Sequence, residues 1–258
     1  MTLNVAIVGL GAIGNFLIDR ITESQDFNLV AVYDIVPEGY DVLCDRLDSP
    51  PPFFEIKDFP SETDVFIECA SVKAVNPLVT ECMKRGKTAI VASIGGLIDN
   101  HGLWELIEYS EGKLILPSGA IGGLDILKAI PPEDLLEVTL VTRKNPKSLP
   151  AELGEIKSET EIFSGNAREA IQKYPKNINV AAMLALAGLG VEKTKIRIIA
   201  DPTINHNIHE ISIKSGSGDY FISCMNYPFE INPKTSKLAA LSIWASLVSL
   251  TLKVTYGL

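Results

Sequence analysis

The sequence predicts an α/β protein: a doubly wound parallel sheet at the N-terminus, then a second α/β (α+β-like) domain built on a mixed sheet. Strand-like and helix-like apolar patterns alternate up to about residue 116, the rhythm of a parallel sheet covered by helices on both faces. A glycine-rich turn follows the first of these strands. Past residue 123 the pattern changes to short β-rich stretches separated by turn formers, which suits mixed or antiparallel pairing. The chain has 258 residues, 47% of them hydrophobic, enough for one large core or two modest ones and too apolar for a disordered chain.

Val5-Ala6-Ile7-Val8 is a compact apolar run ending in glycine, as in a strand buried on both faces. Residues 12–21 carry Ile13, Phe16, Leu17 and Ile21 at helical spacing, and Leu29-Val30-Ala31-Val32-Tyr33 is a second strand ending at Asp34. Further strands are expected at 65–67, 88–92 and 114–116, with helices at 72–85, stopped by Gly86, and at 102–109. Pro50-Pro51-Pro52 is a loop too short to link domains. The uncharged, turn-rich stretch 117–123 marks the boundary. Beyond it strands are expected at 136–142, 155–163, 195–200, 208–213 and 220–224, with a turn at Ser215-Gly216-Ser217-Gly218 and an apolar helix at 180–189. A last helix covers about 236–252. The expected organisation is a nucleotide domain over 1–117 and a substrate domain over 118–235, with 236–258 packing back on the first.

Lys and Arg number 23 against 32 Asp and Glu, a formal charge of −9, which argues against a nucleic-acid partner but not against a local pocket for a small anion. Cys44, Cys69, Cys82 and Cys224 show no C-x-x-C spacing and read as reduced thiols. No signal-like segment opens the chain. The longest uncharged apolar stretch, 238–252, is shorter than the roughly 20 residues of a membrane span and is interrupted by serines and a threonine. A cytoplasmic protein with no membrane partner is expected. The two apolar helices are richer than a monomer surface tolerates, so part of that surface is assigned to a homodimer.

Gly9-Leu10-Gly11-Ala12-Ile13-Gly14 matches G-x-G-x-x-G, placed after a strand and at the opening of a helix. In this Rossmann pattern Gly9 serves the tight turn, Gly11 the approach of a pyrophosphate, and Gly14 close helix–strand packing. The helix N-terminus at Ala12 and Ile13 offers free N–H groups to the phosphates. Asp34 stands twenty residues after Gly14 and suits the ribose hydroxyls of NAD; no arginine follows in 35–38 to receive the 2′-phosphate of NADP. Two further loops at the carboxyl edge, Cys69-Ala70-Ser71 and Ser93-Ile94-Gly95-Gly96, are candidate cofactor contacts.

The three histidines differ in promise. His101 precedes a helix and reads as a surface residue. His206 and His209, three apart in a strand, point to opposite faces and lack a third ligand, so a metal site is not supported. His209 shares parity with Ile211 and Ile213 and faces inward, as a core histidine or as a general acid or base.

Several blocks carry a resemblance. Ser118-Gly119-Ala120-Ile121-Gly122-Gly123-Leu124-Asp125, Tyr174-Pro175-Lys176-Asn177-Ile178-Asn179-Val180, Ala200-Asp201-Pro202, Asn207-Ile208-His209-Glu210-Ile211 and Asn232-Pro233-Lys234-Thr235-Ser236 together resemble the L-aspartate dehydrogenase family, in that family's order. The resemblance implies oxidation of L-aspartate by NAD or NADP to iminoaspartate, which hydrolyses to oxaloacetate and ammonia, feeding NAD synthesis in many members. It implies that His209 is the active-site histidine and that Ala120 and an asparagine, Asn179 or Asn177, touch the cofactor. Ser118, Arg143, Lys144, Lys234, Thr235 and Ser236 are the candidates for holding the substrate. The competing readings are a relative acting on another small dicarboxylate or a homoserine-like substrate, and a dinucleotide sensor without turnover.

Overall fold

The computed structural model describes residues 2–149, 154–174, 179–229 and 236–256. It divides into two compact units: Met1–Pro117 with Ile243–Val254, and Ser118–Ser242 with Thr255–Leu258.

In the first unit β1 (Leu3–Val8), β2 (Phe27–Tyr33), β3 (Val65–Glu68), β4 (Thr88–Val91) and β5 (Lys113–Ile115) form a parallel sheet in the order β2-β1-β3-β4-β5. Helices α1 (Ala12–Thr22), α2 (Glu38–Arg46), α3 (Val72–Lys84) and α4 (His101–Tyr109) connect the strands. The order reverses between β1 and β3, so their carboxyl ends flank the crevice where open α/β sheets bind ligands. All four residues of β3 are buried, as both-face coverage requires. The proline loop returns along β2, where Val32 donates its N–H to the Pro52 carbonyl and accepts from the Phe54 N–H. Helix α2 escapes sequence reading because Leu43 is its one buried residue and no apolar stripe marks it.

The second unit holds β6 (Leu135–Lys144), β7 (Thr160–Asn166), β8 (Lys195–Ala200), β9 (Asn207–Ser215) and β10 (Gly218–Asn226) in the order β10-β9-β6-β8-β7. Only β6 and β8 run parallel, so the sheet is mixed. The strand expected from 155 begins at Thr160 instead. Thr160 pairs with Ala200, the last residue of β8, so residues 155–159 have no ladder to join. Helices α5 (Leu124–Ala129), α6 (Ala167–Lys173) and α7 (Asn179–Ala187) belong to this unit, α6 starting at a capping box between Asn166 and Glu169. One sheet face, with Val138, Leu140, Ile196, Ile198, Ile211 and Ile213, packs into a core with Leu127, Ala170, Ala181 and Leu184 of the helices.

The last helix, α8 (Lys237–Ser249), divides between the units at Ser242, not at 235. Its Ile243 and Leu247 join the core of the first unit with Leu17, Ile21 and Phe27. Ala181, Leu184 and Ala185 of α7 and Ile243 and Leu247 of α8 thus fill cores, whereas Leu186 and Leu238 on the same helices are exposed, as are Phe221 and Met225 on β10. No helix among the described residues is long and apolar enough to cross a membrane.

Leu247 is fully buried. Leu247→Ala is therefore expected to destabilise the protein by about 2–5 kcal/mol, read as a lower urea midpoint, through lost burial and the cavity left behind.

Candidate active site

At the end of β1 the chain turns through Gly9, whose φ of 111° lies in the region glycine favours. A β-carbon on Gly9 would sit 2.8 Å from the Ala70 nitrogen and from the Cys69 carbonyl, and one on Gly14 would sit 1.8 Å from the Gly9 oxygen. These two glycines are dictated by the protein's own packing. Gly11 is different: nothing lies within 4 Å of where its β-carbon would be. The open side of Gly11, at the N-terminus of α1, is the cradle a pyrophosphate needs. Helix α1 has no side-chain cap and no acid in its first turn, so its leading N–H groups, including those of Ala12 and Ile13, face no competing anion.

Asp34 is tied into this turn. Its Oδ2 accepts from the Leu10 N–H at 2.6 Å and its Oδ1 from the Val36 N–H at 2.9 Å. A carboxylate has about four acceptor positions, so both oxygens retain capacity for ribose hydroxyls. Ile35 and Val36 beside it are exposed and apolar, leaving no cation there for a 2′-phosphate.

The loop after β3 shows what the sequence hid. Ala70 and Ser71 are exposed, but their N–H groups both donate to Oε1 of the buried Glu68, at 2.8 and 2.9 Å. Any contact these residues make with a cofactor must therefore use carbonyls or the Ser71 hydroxyl. Glu68 also accepts from Ser93, from its N–H at 2.9 Å and its hydroxyl at 3.0 Å. The signal for Glu68 was present: an ionisable residue closing an otherwise apolar strand demands partners.

In the second unit His209 is buried on the inner sheet face, opposite Thr142 of β6. The Thr142 hydroxyl and His209 Nδ1 share a hydrogen bond of 3.0 Å. Burial, and then the neighbouring Lys144 charge, push the imidazole down to about 3, so the ring is neutral at physiological pH. Lys144 lies two residues along β6 from Thr142 on the same face, 7% exposed, with no side-chain partner among the described residues. Burial pushes its ammonium down to about 8. The Asp201 N–H donates to the Lys144 carbonyl at 2.9 Å and extends the ladder past it. Lys144 shares a small cavity with Thr142 and with Tyr174, whose buried hydroxyl also has no hydrogen-bond partner among the described residues.

Arg143 is placed elsewhere. It points to the opposite sheet face, where it pairs with Glu159 at 2.8 Å and Glu210 at 3.5 Å. Of two adjacent cations, strand alternation brings only Lys144 to His209. Asn207 and Asn226, buried and paired across β9 and β10, lie along the same face as His209, and Asn226 Nδ2 donates to the Ala120 carbonyl at 2.9 Å. That bond brings the Ser118–Ala120 segment to the sheet. His206 lies just before β9, its ring edge-on to Tyr227 at 4.7 Å. His101 is the exposed first residue of α4. Asn179 opens α7, while Asn177, Lys234 and Thr235 fall outside the described residues. Ser236 is buried, and its hydroxyl accepts from the Leu238 N–H at 3.2 Å, in the manner of a helix cap. No group of three metal-binding side chains occurs among the described residues.

A glycine cradle on a doubly wound sheet, joined in one chain to a mixed-sheet domain with a buried histidine and lysine, defines a nicotinamide dinucleotide-dependent dehydrogenase. Residues 9–115 match a family model described as the NAD-binding domain of homoserine dehydrogenase, and residues 125–250 one described as the C-terminal region of aspartate dehydrogenase. An L-aspartate dehydrogenase of Bradyrhizobium diazoefficiens is 35% identical over 254 residues, covering 95% of this chain and 90% of its own. That of Thermotoga maritima is 35% identical over 259 residues, covering 99% of this chain and all of its own. The crystal structure of the aspartate dehydrogenase from Thermotoga maritima superposes with a TM-score of 0.81 at 30% identity, covering 99% and 100% of the two chains. A hyperthermophilic archaeal homoserine dehydrogenase shares the fold at a TM-score of 0.63 and 11% identity. The chain belongs to the L-aspartate dehydrogenase family.

The two kinds of glycine give a test. Gly11→Ala is expected to fold with unchanged thermal stability yet bind NADH at least about tenfold more weakly, as its β-carbon enters only the cradle. Gly14→Ala is expected to lower the melting temperature as well, since its β-carbon meets backbone. Fluorescence titration and thermal melts read both.

Proposed function

We propose that this protein oxidises L-aspartate at the α-carbon with NAD+ or NADP+, giving iminoaspartate, which water converts to oxaloacetate and ammonia. The observation that carries the reading is the placement of His209 and Lys144 on one buried sheet face in a chain of this family. The dinucleotide, when bound, supplies the hydride acceptor, and Gly9, Gly11, Gly14 and the α1 N–H groups would hold its pyrophosphate, with Asp34 at the ribose favouring NAD. Ala120 and Asn179 are assigned to the cofactor by family likeness.

The substrate arrives with a protonated amine and two carboxylates. Its amine must lose a proton before the nitrogen lone pair can form the imine. His209 would take it: the ring is neutral, and in the tautomer whose Nδ1–H donates to Thr142 Oγ1 the Nε2 atom is the acceptor, while a substrate carboxylate paired with Lys144 offsets the charge that helps hold the imidazole low. Once it has released that proton to solvent, the same nitrogen can take a proton from the water that attacks the imine. Lys144 supplies positive charge to one carboxylate. Its low dielectric surroundings strengthen that attraction, and pairing draws its proton affinity back up.

Purified protein given L-aspartate with NAD+ or NADP+ is expected to produce reduced cofactor, followed by absorbance. Homoserine and other amino acids serve as the alternative substrates, and activity with those but not with L-aspartate overturns the reading. His209→Ala is expected to lower kcat by about a hundredfold or more while NADH affinity is retained. Equal loss of both marks a structural histidine. Lys144→Met is expected to raise KM for L-aspartate about tenfold or more, and to raise the melting temperature because an unpartnered buried charge is removed.

A further inference from the structure

We propose that Glu68 is a positioning residue for the dinucleotide: its carboxylate sets the loops at 69–71 and 93–96, and through them the glycine turn, in the arrangement that receives the cofactor. The inference rests on the cofactor assignment above. Glu68 closes β3 and is fully buried, yet its carboxylate meets no basic side chain among the described residues. Oε1 accepts from the Ala70 N–H, the Ser71 N–H and the Ser93 hydroxyl, at 2.8, 2.9 and 3.0 Å, and Oε2 accepts from the Ser93 N–H at 2.9 Å. Burial pushes the carboxyl above its ordinary range, and the four donors offset only part of that. With donors on every side, the ionised form is the one whose acceptors match them.

A purely structural role would ask for less. A strand end can be filled by an apolar residue, and exposed loop N–H groups can bond to water. Here one side chain binds together two loops that follow different strands, β3 and β4, on the carboxyl edge of the sheet. The loops are also packed too tightly to adjust independently. A β-carbon on Gly96 would lie 2.6 Å from the Val72 carbonyl oxygen and 2.7 Å from a Val75 methyl, and one on Gly9 would lie 2.8 Å from the Ala70 nitrogen. A shift of 69–71 is therefore passed to the pyrophosphate turn on one side and to the start of α3 on the other. Taking the Ala70 and Ser71 N–H groups also leaves the carbonyls and the Ser71 hydroxyl as the polar atoms that loop offers.

Glu68→Gln tests this with little change of volume. The amide keeps one acceptor but turns an NH2 group toward N–H donors, so one loop must move. Fluorescence titration is expected to show NADH bound about tenfold more weakly, while KM for L-aspartate at saturating cofactor stays within about twofold. Ser93→Ala removes one donor and keeps three, and a weakening of about threefold or less, but measurable, is expected. Unchanged NADH affinity in folded Glu68→Gln overturns the proposal, as does a loss confined to kcat or to KM for L-aspartate. Should Glu68→Gln not fold, unchanged NADH affinity in Ser93→Ala overturns it. NADH binding is read without substrate, so a wild-type protein that binds NADH but ignores L-aspartate counts against the activity alone.

Discussion

The backbone of the glycine turn lies directly against the backbone of the loop after β3, with no space for a side chain between them, and the ligand edge of the first unit depends on that approach. It requires glycine at 9 for its conformation and its neighbours, and glycine at 14 so that α1 can start over the turn. The strand order then places both loops beside the point where the sheet reverses direction. Close packing of backbone on backbone brings its own demand, because each N–H turned inward there needs an acceptor. Glu68 supplies that acceptor for Ala70, Ser71 and Ser93, and Asp34 supplies it for Leu10.

The second unit is governed by a simpler rule, the period of two along a strand. Thr142 and Lys144 face inward with His209, whereas Arg143 faces outward into glutamates. The inner face is apolar for most of its length, and the polar residues gather where β6 and β10 end and β9 begins. There a neutral imidazole and an ammonium with no side-chain partner among the described residues share an environment that favours neither charge. A core would gain stability from apolar residues at these positions, which is why the arrangement reads as chemistry rather than architecture.

Much of the fold was legible because its signals are local. The fingerprint, its preceding strand and its following helix all fall between Leu3 and Thr22, and α3 ends at Lys84 with Arg85 as its C-cap, just before the Gly86 that marks its end in sequence. The parity of His209 with Ile211 and Ile213 placed it inward, and β9 keeps that parity throughout. What sequence alone left open depends on partners far along the chain. Arg143 and Lys144 are equivalent cations until β6 assigns them faces. Residues 155–159 read as the start of a strand that runs to Phe163, but β8 has already ended opposite Thr160. Glu68 reads as the polar end of a strand until Ser93, twenty-five residues away, folds beside it.

Asp34 braces the Leu10 and Val36 amides, and in the proposed reading it would also face the ribose. A residue with two duties constrains how the protein can change. Replacing Asp34 with a neutral side chain, the shortest route toward accepting a phosphorylated ribose, also withdraws the acceptor that steadies the glycine turn. In that reading, admitting a 2′-phosphate would take paired substitutions, one making room for the phosphate and another re-bracing Leu10, so change at position 34 alone meets a barrier.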